Sequence, residues 1–213
     1  MAPEAAARIL FIPNGVDVER FSEQVAPAAR ARPYVLAVGR LDRQKGFDLL
    51  VEAMARLGAA GGAPDLLLAG DGPGRSALEA QVARLALGER VHFAGAVGAD
   101  EVAALYRAAL LVAAPSRWEG LPLVCLEALA CGAPIVAANV DGMSDVVVHD
   151  ETGVLVPPED VDALAAAITA LLADPTRRAR LAAAGRDRVR RQFTWAVVAR
   201  RYLEVLEAAR HST

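Results

Sequence analysis

The sequence predicts an α/β protein: one doubly wound parallel sheet of about six strands, with helices on both faces. Three observations carry that expectation. Short apolar runs alternate with longer segments of helical spacing along the chain. The short runs are continuous hydrophobic stretches and not in–out alternations, as strands buried on both faces should be. Finally, 54% of the 213 residues are hydrophobic, enough to fill a core on each side of such a sheet.

The elements follow in order. "ILFIPNGVDVERF" comes first, and "EQVAPAARARP" (23–33) is the best candidate linker. Residues 1–33 are therefore expected to form an interdomain or N-terminal segment, and 34–213 the sheet domain. "YVLAVG" (34–39) is the first strand and "GFDLLVEAMARL" (46–57) the first helix. "DLLLAG" (65–70), "GRSALEAQVARLAL" (74–87), "VHFAG" (91–95) and "DEVAALYRAA" (100–109) continue the alternation. "LLVAAPS" (110–116) is a strand ending in a loop, and "LPLVCLEALAC" (121–131) a helix with Pro122 in its first turn. "PIVAA" (134–138), a short helix at "SDVVV" (144–148) and "GVLVP" (153–157) complete the sheet. Helices fill the rest, beginning with "DVDALAAAITALLAD", which has an aspartate-rich start and a stop at Pro175. The expected architecture is Rossmann-like, and its ligand crevice lies beyond the carboxyl ends of the strands.

Composition narrows the function. A formal net charge of -3 gives no basic face for nucleic acid. No apolar run approaches the roughly 20 residues of a membrane helix, and "MAPEAAARILF" lacks the pattern of a signal peptide. The two cysteines, Cys125 and Cys131, stand six apart on one predicted helix. That spacing argues against a disulfide and is no zinc pattern, so a reducing cytoplasm is the expected home. Seven arginines crowd the tail: Arg177, Arg178, Arg180, Arg186, Arg188, Arg190 and Arg191. They read either as a peripheral contact with an anionic membrane surface or as a solvated helix face.

The strand-end loops carry the chemistry. "VGRLDRQKG" (38–46) brings Arg40 and Lys45 to the crevice, where two cations suit phosphate. It is not a Walker A loop, because Lys45 is followed by Gly46 and Phe47, and it lacks G-x-G-x-x-G. "GDGPG" (70–74) is either a tight turn or a close backbone approach to a ligand. In "SRWEGLPLVCLEALACG", Glu119 and Glu127 frame a helix start. Free amides at Gly120, Leu121 and Leu123 there would favour a diphosphate, and Glu127 would accept from a vicinal diol.

With these loops in place the chain resembles the C-terminal half of a retaining GT-B glycosyltransferase of family 4, the group with an E-x7-E motif. The matching segments are collinear: "IPNGVDVERF", "VGRLDRQKGFDLLVEAM", "LLLAGDGPGRSALE", "VHFAGAV", "LYRAALLVAAPSRWEGLPLVCLEALACGAPIVAA" and "ETGVLVPPEDVDALAAAI". The resemblance implies that Glu119 contacts the donor sugar, Glu127 the ribose diol, and Arg40 and Lys45 the diphosphate. It implies donor-binding positions at Gly39, Gly70, Gly120, Leu121, Pro122 and Leu123, with the segment around Val97 pairing its backbone with the base. Two departures stand out. Asp145 occupies a position where glutamate is common, and "EGLP" replaces a more frequent "EGFG".

The implied reaction moves a sugar from a nucleotide-diphosphate sugar to an acceptor hydroxyl, with retention, no obligatory cofactor and no metal. The acceptor, a sugar or lipid, would be held by an N-terminal domain that this chain lacks. Three alternatives stay open: a nucleotide-sugar-binding half without turnover of its own, a sugar-nucleotide epimerase of the same fold, and a nicotinamide dehydrogenase, which the missing fingerprint disfavours.

Overall fold

The computed structural model describes residues 10–57 and 63–211. Among these residues six strands form one sheet: β1 (Tyr34–Val38), β2 (Asp65–Ala69), β3 (Val91–Gly95), β4 (Leu111–Ala114), β5 (Ile135–Ala138) and β6 (Val154–Val156). Every pairing is parallel, and the spatial order is β3-β2-β1-β4-β5-β6. The chain winds outward from β1 to β3, then crosses to the other side of β1 to lay down β4. That reversal opens a crevice beyond the carboxyl ends of β1 and β4, the position at which such sheets bind ligands.

Among the described residues eight α-helices surround the sheet: α1 (Phe47–Leu57), α2 (Arg75–Arg84), α3 (Ala99–Ala108), α4 (Leu123–Ala130), α5 (Met143–Val146), α6 (Val161–Ala173), α7 (Pro175–Gln192) and α8 (Trp195–His211). Side chains of each strand alternate between two cores. Val35 and Ala37 join Leu66, Leu68 and Val136 against α1 and α6, while Leu36 joins Leu67, Val112 and Ile135 against α3 and α4. Both faces of the strands are thus apolar, which is why the sequence shows unbroken hydrophobic runs.

Element ends follow local chemistry. Asp160 caps α6 by accepting from the Ala163 amide at 2.8 Å. Asp174 does the same for α7 through the Arg177 amide at 2.8 Å, with Pro175 in its first turn. The proline expected to stop one helix therefore opens the next. β4 ends at Ala114, earlier than the apolar run suggests, because Pro115 has no amide to extend the ladder. α4 begins at Leu123 rather than 121, since Pro122 sits at ψ 85°, outside the helical region.

The segment before β1 packs onto the sheet domain. Val16 and Phe21 are buried, the Val16 amide donates to the Phe193 carbonyl at 2.8 Å, and the Ala28 amide donates to the Ala104 carbonyl at 2.9 Å. The candidate linker at 23–33 therefore does not mark a loss of packing. Residues 1–9 of that segment lie outside the described residues.

All seven tail arginines have partners within the chain. Arg177 pairs with the Asp150 carboxylate, and Arg180 donates to the Asp150 carbonyl at 3.0 Å. Arg178 donates to the Leu171 carbonyl and Arg188 to the Val146 and Asp145 carbonyls. Arg186 and Arg190 both pair with Glu23, and Arg191 with Asp187. The run thus knits α7 to its neighbours. α8 projects further, leaving Trp195, Tyr202, Leu203 and Leu206 more than half exposed. Among the described residues no helix is long and apolar enough to cross a membrane.

Candidate functional site

Two loops meet at the crevice: 39–46 after β1 and 115–122 after β4. The first folds as a short 3-10 turn, Arg43–Lys45, capped by Asp42, whose Oδ1 accepts from the Lys45 amide at 3.3 Å. Gly46 closes the turn at φ 64°, and a Cβ there would stand 2.1 Å from the Pro115 carbonyl oxygen. Only glycine permits that approach of the two backbones. The approach brings Lys45 Nζ to 2.7 Å from Glu119 Oε1, an oxygen that also accepts from Ser116 Oγ at 2.7 Å. The Lys45 and Glu119 side chains are only 20% and 7% exposed, so their pairing is little weakened by solvent. The ammonium has three donors, and Glu119 takes one of them.

Arg117 locks the loops in register. Its guanidinium forks onto both Asp48 oxygens at 2.8 and 2.7 Å, donates to the Arg43 carbonyl at 2.8 Å, and meets Glu159 at 2.8 Å through Nε. Its amide donates to the Gln44 carbonyl at 2.8 Å, and Gln44 Nε2 returns a bond to the Trp118 carbonyl at 3.1 Å. Burial alone would raise the Asp48 carboxyl. The Arg117 fork outweighs it and holds the group below the usual aspartate range, while the same bonds push the guanidinium higher. The sequence reading passes over Arg117 and Ser116. The one signal was placement: Arg117 lies two residues before Glu119, and Asp48 lies in the first turn of the helix that follows Lys45.

α4 starts with no side-chain cap. Among the described residues the Gly120, Leu121 and Val124 amides donate to no protein acceptor, whereas the Leu123 amide donates to the Leu121 carbonyl at 3.0 Å. This corrects the expectation for Leu123: its amide is occupied, and Val124 supplies the open donor instead. Pro122 has none to give. The open amides and the helix dipole together make an anion-attracting end.

Glu127 lies further along α4, part-buried, with Oε2 accepting from the Tyr106 hydroxyl at 3.1 Å. Burial raises its pKa above the usual glutamate value, and the Tyr106 bond offsets part of that rise. Glu119 is thus matched by a cation and Glu127 by a neutral hydroxyl.

The remaining expected residues are more dispersed. Arg40 sits in the first loop, with its side chain 70% exposed and its Nε 3.6 Å from Asp42. Gly70 packs on Gly39: at φ 140°, a Cβ on Gly70 would stand 1.9 Å from the Gly39 carbonyl oxygen. "GDGPG" is clasped to the first loop, with the Gly74 amide donating to the Leu41 carbonyl at 2.7 Å and the Leu41 amide to the Asp71 carbonyl at 3.0 Å. Its glycines are accounted for by the turn. Val97 follows β3 and is half-buried against the core. Asp145 is exposed, and its carbonyl accepts from Arg188 at 2.8 Å. Cys125 and Cys131 are buried free thiols, both pushed up to about 12 by burial, so neither is a nucleophile at neutral pH.

Known proteins share this fold. Residues 18–188 match the family described as "Glycosyl transferases group 1". The GDP-mannose-dependent alpha-(1-6)-phosphatidylinositol monomannoside mannosyltransferase of Mycolicibacterium smegmatis is 35% identical, over 97% of this chain and 58% of its own length. A sucrose-phosphate synthase structure from Thermosynechococcus elongatus has a TM-score of 0.84 at 36% identity, covering 95% of this chain and 53% of that one. The C-terminal domain of a group 1 glycosyl transferase from Francisella tularensis has a TM-score of 0.73 at 25% identity, and 85% of this chain covers 100% of it. The chain spans about half the length of the curated relatives it matches. It belongs to the glycosyl transferases group 1 family.

Proposed function

We propose that the chain is the donor-binding half of a retaining glycosyltransferase, taking a nucleotide-diphosphate sugar into the crevice between the loops after β1 and β4. One observation carries this reading: Lys45 Nζ lies 2.7 Å from Glu119 Oε1 beside the uncapped start of α4. A diphosphate there would meet the remaining donors of Lys45, the Arg40 guanidinium, and the open amides of Leu121 and Val124. The leaving nucleoside diphosphate gains negative charge as the glycosidic bond breaks. Fixed donors facing that charge lower the barrier, each by about 3 kcal/mol where comparable donors have been removed. Glu119 would hold the sugar's hydroxyls through its second oxygen and Glu127 the ribose diol. The segment at Val97 would meet the base, with Gly39 and Gly70 letting the strand ends come close. Residues 34–213 form the sheet domain in this reading, and a sugar or lipid acceptor is held by another domain, which the exposed apolar face of α8 suits. Two unpaired buried thiols suit a reducing compartment such as the cytoplasm.

The half-length match to relatives favours a second reading, a donor-binding module that turns over only with a partner domain. Calorimetric titration with UDP, GDP and ADP and the parent nucleosides tests both. Arg40→Ala and Lys45→Ala should weaken nucleoside diphosphates more than nucleosides. Equal affinities in wild type and both variants remove the diphosphate assignment. Sugar transfer to an acceptor panel then separates enzyme from module.

A further inference from the structure

Tyr106 is the bulkiest fully buried side chain among the described residues. Packing alone does not call for tyrosine there: phenylalanine would fill the space without burying a hydroxyl. A core hydroxyl is costly unless bonded, and this one donates to Glu127 Oε2 at 3.1 Å. The ring is held from its other side by Phe21, edge-on at 6.3 Å between centroids. Phe21 comes from the segment before β1 and is itself buried.

Glu127 has no cation partner among the described residues. The groups facing it are the Tyr106 hydroxyl from α3 and the Cys125 and Cys131 thiols at either side of it in the chain. The nearby Arg107 guanidinium is turned to the Cys131 and Val25 carbonyls. One carboxylate oxygen is therefore fixed by a neutral donor, and among the described residues Oε1 accepts from no protein group. A glutamate loses rotamer freedom when immobilised; a bond already made removes much of that loss from the binding step.

We infer that Tyr106 is a positioning residue for donor recognition: its hydroxyl fixes the Glu127 carboxylate so that the free oxygen meets the vicinal diol of the nucleotide's ribose. The inference rests on the assignment of Glu127 to the ribose made above.

The test is the affinity ratio between a ribonucleoside diphosphate and its 2′-deoxy counterpart, measured by calorimetry across pH with the full chain. The ratio cancels titration of the diphosphate itself. Tyr106→Phe should lower it about fivefold, the scale of one modest hydrogen bond. Because the Tyr106 bond lowers the Glu127 pKa, its loss should also move the acid limb of the ratio to higher pH. Glu127→Gln should abolish both ratio and limb. If Glu127→Gln does so and Tyr106→Phe changes neither, the role of Tyr106 is overturned while the ribose assignment survives. If Glu127→Gln leaves the ratio intact, the assignment falls and the inference with it. Equal weakening of both nucleotides by Tyr106→Phe marks a purely structural role and also overturns it. Should Tyr106→Phe not fold, 3-fluorotyrosine at position 106 keeps the shape with a more acidic hydroxyl. It should move the limb to lower pH, and an unmoved limb is then the overturning result.

Discussion

Positive charge gathers in two regions of this molecule, and they use it in opposite ways. In the loops after β1 and β4, Lys45 shares one carboxylate oxygen with Ser116 beside a helix start where, among the described residues, the Gly120, Leu121 and Val124 amides are open. Along α7, each of the seven arginines meets a carboxylate or a carbonyl that belongs to the fold. By sequence alone α7 is the more basic region, with seven arginines in 15 positions from 177 to 191. Density of cations thus says little about binding. What distinguishes the loops is that their donors converge at the carboxyl ends of adjacent strands where the winding reverses, with donors left over.

Removing the loop cation should give the largest effect. On the proposed reading Lys45→Ala deletes a donor aimed at the leaving group, and the barrier should rise by about 3 kcal/mol, on the order of a hundredfold in kcat. Steady-state kinetics of transfer, or of donor hydrolysis where no acceptor domain is present, measures it. An unchanged kcat would erase the distinction between the two regions.

The fold was legible because its signal is local. Strands β1 to β6 announce themselves as apolar runs, and the loops between them follow. The candidate site was legible in part: the sequence places Lys45 and Glu119 in strand-end loops, and the structure brings them to 2.7 Å from each other. The pairs that hold it rigid were not. Arg117 and Asp48 are 69 residues apart, and Tyr106 and Glu127 are 21 apart. Neither spacing has a period, and burial of a tyrosine hydroxyl leaves no trace in a hydrophobic pattern. The position of the open amide was also out of reach, because it depends on how Pro122 turns the chain before α4.

The Arg117 fork sharpens the comparison, since it resembles the α7 arginines in being satisfied yet stands beside the site. Arg117→Lys keeps the charge but loses the bidentate geometry. The two loops should drift apart, and nucleoside diphosphate affinity should fall roughly tenfold, about 1.4 kcal/mol. The pH dependence has a definite sign. Asp48 has a depressed folded pKa, so its stabilising contribution is present above the ordinary aspartate value and is lost as pH falls through the lowered one. Thermal melts should therefore show wild type losing its advantage over Asp48→Asn only in acid below the usual aspartate range. An advantage lost already near neutral pH would contradict the fork.

A smaller effect should follow from freeing Lys45. Glu119→Gln removes the negative charge that occupies one ammonium donor. A nucleoside diphosphate without sugar should then bind a few-fold more tightly, in keeping with one partly screened charge pair. Transfer from the full donor should fall, because the carboxylate proposed to order the sugar is gone. Titration of both ligands against the same variant separates the effects. Weaker binding of the sugar-free nucleotide would mean that Glu119 positions Lys45 rather than restraining it.

The smallest effects belong to α7. Arg190 and Arg191 are 57% and 67% exposed, and they pair with Glu23 and Asp187, which are themselves solvated. Exposed pairs of this kind contribute about 0–1 kcal/mol. Arg190→Ala and Arg191→Ala should lower the melting temperature by no more than a few degrees and leave nucleotide affinity unchanged. The same variants decide between the two readings of the arginine run. With every guanidinium drawn to a partner in the fold, sedimentation with phosphatidylglycerol vesicles should be weak and equal for wild type and variants. Vesicle binding by wild type that both substitutions abolish would show that these surface pairs open readily. The α7 cations would then serve an external anion as the loop cations are proposed to do, and partner satisfaction within the fold would no longer separate the two regions.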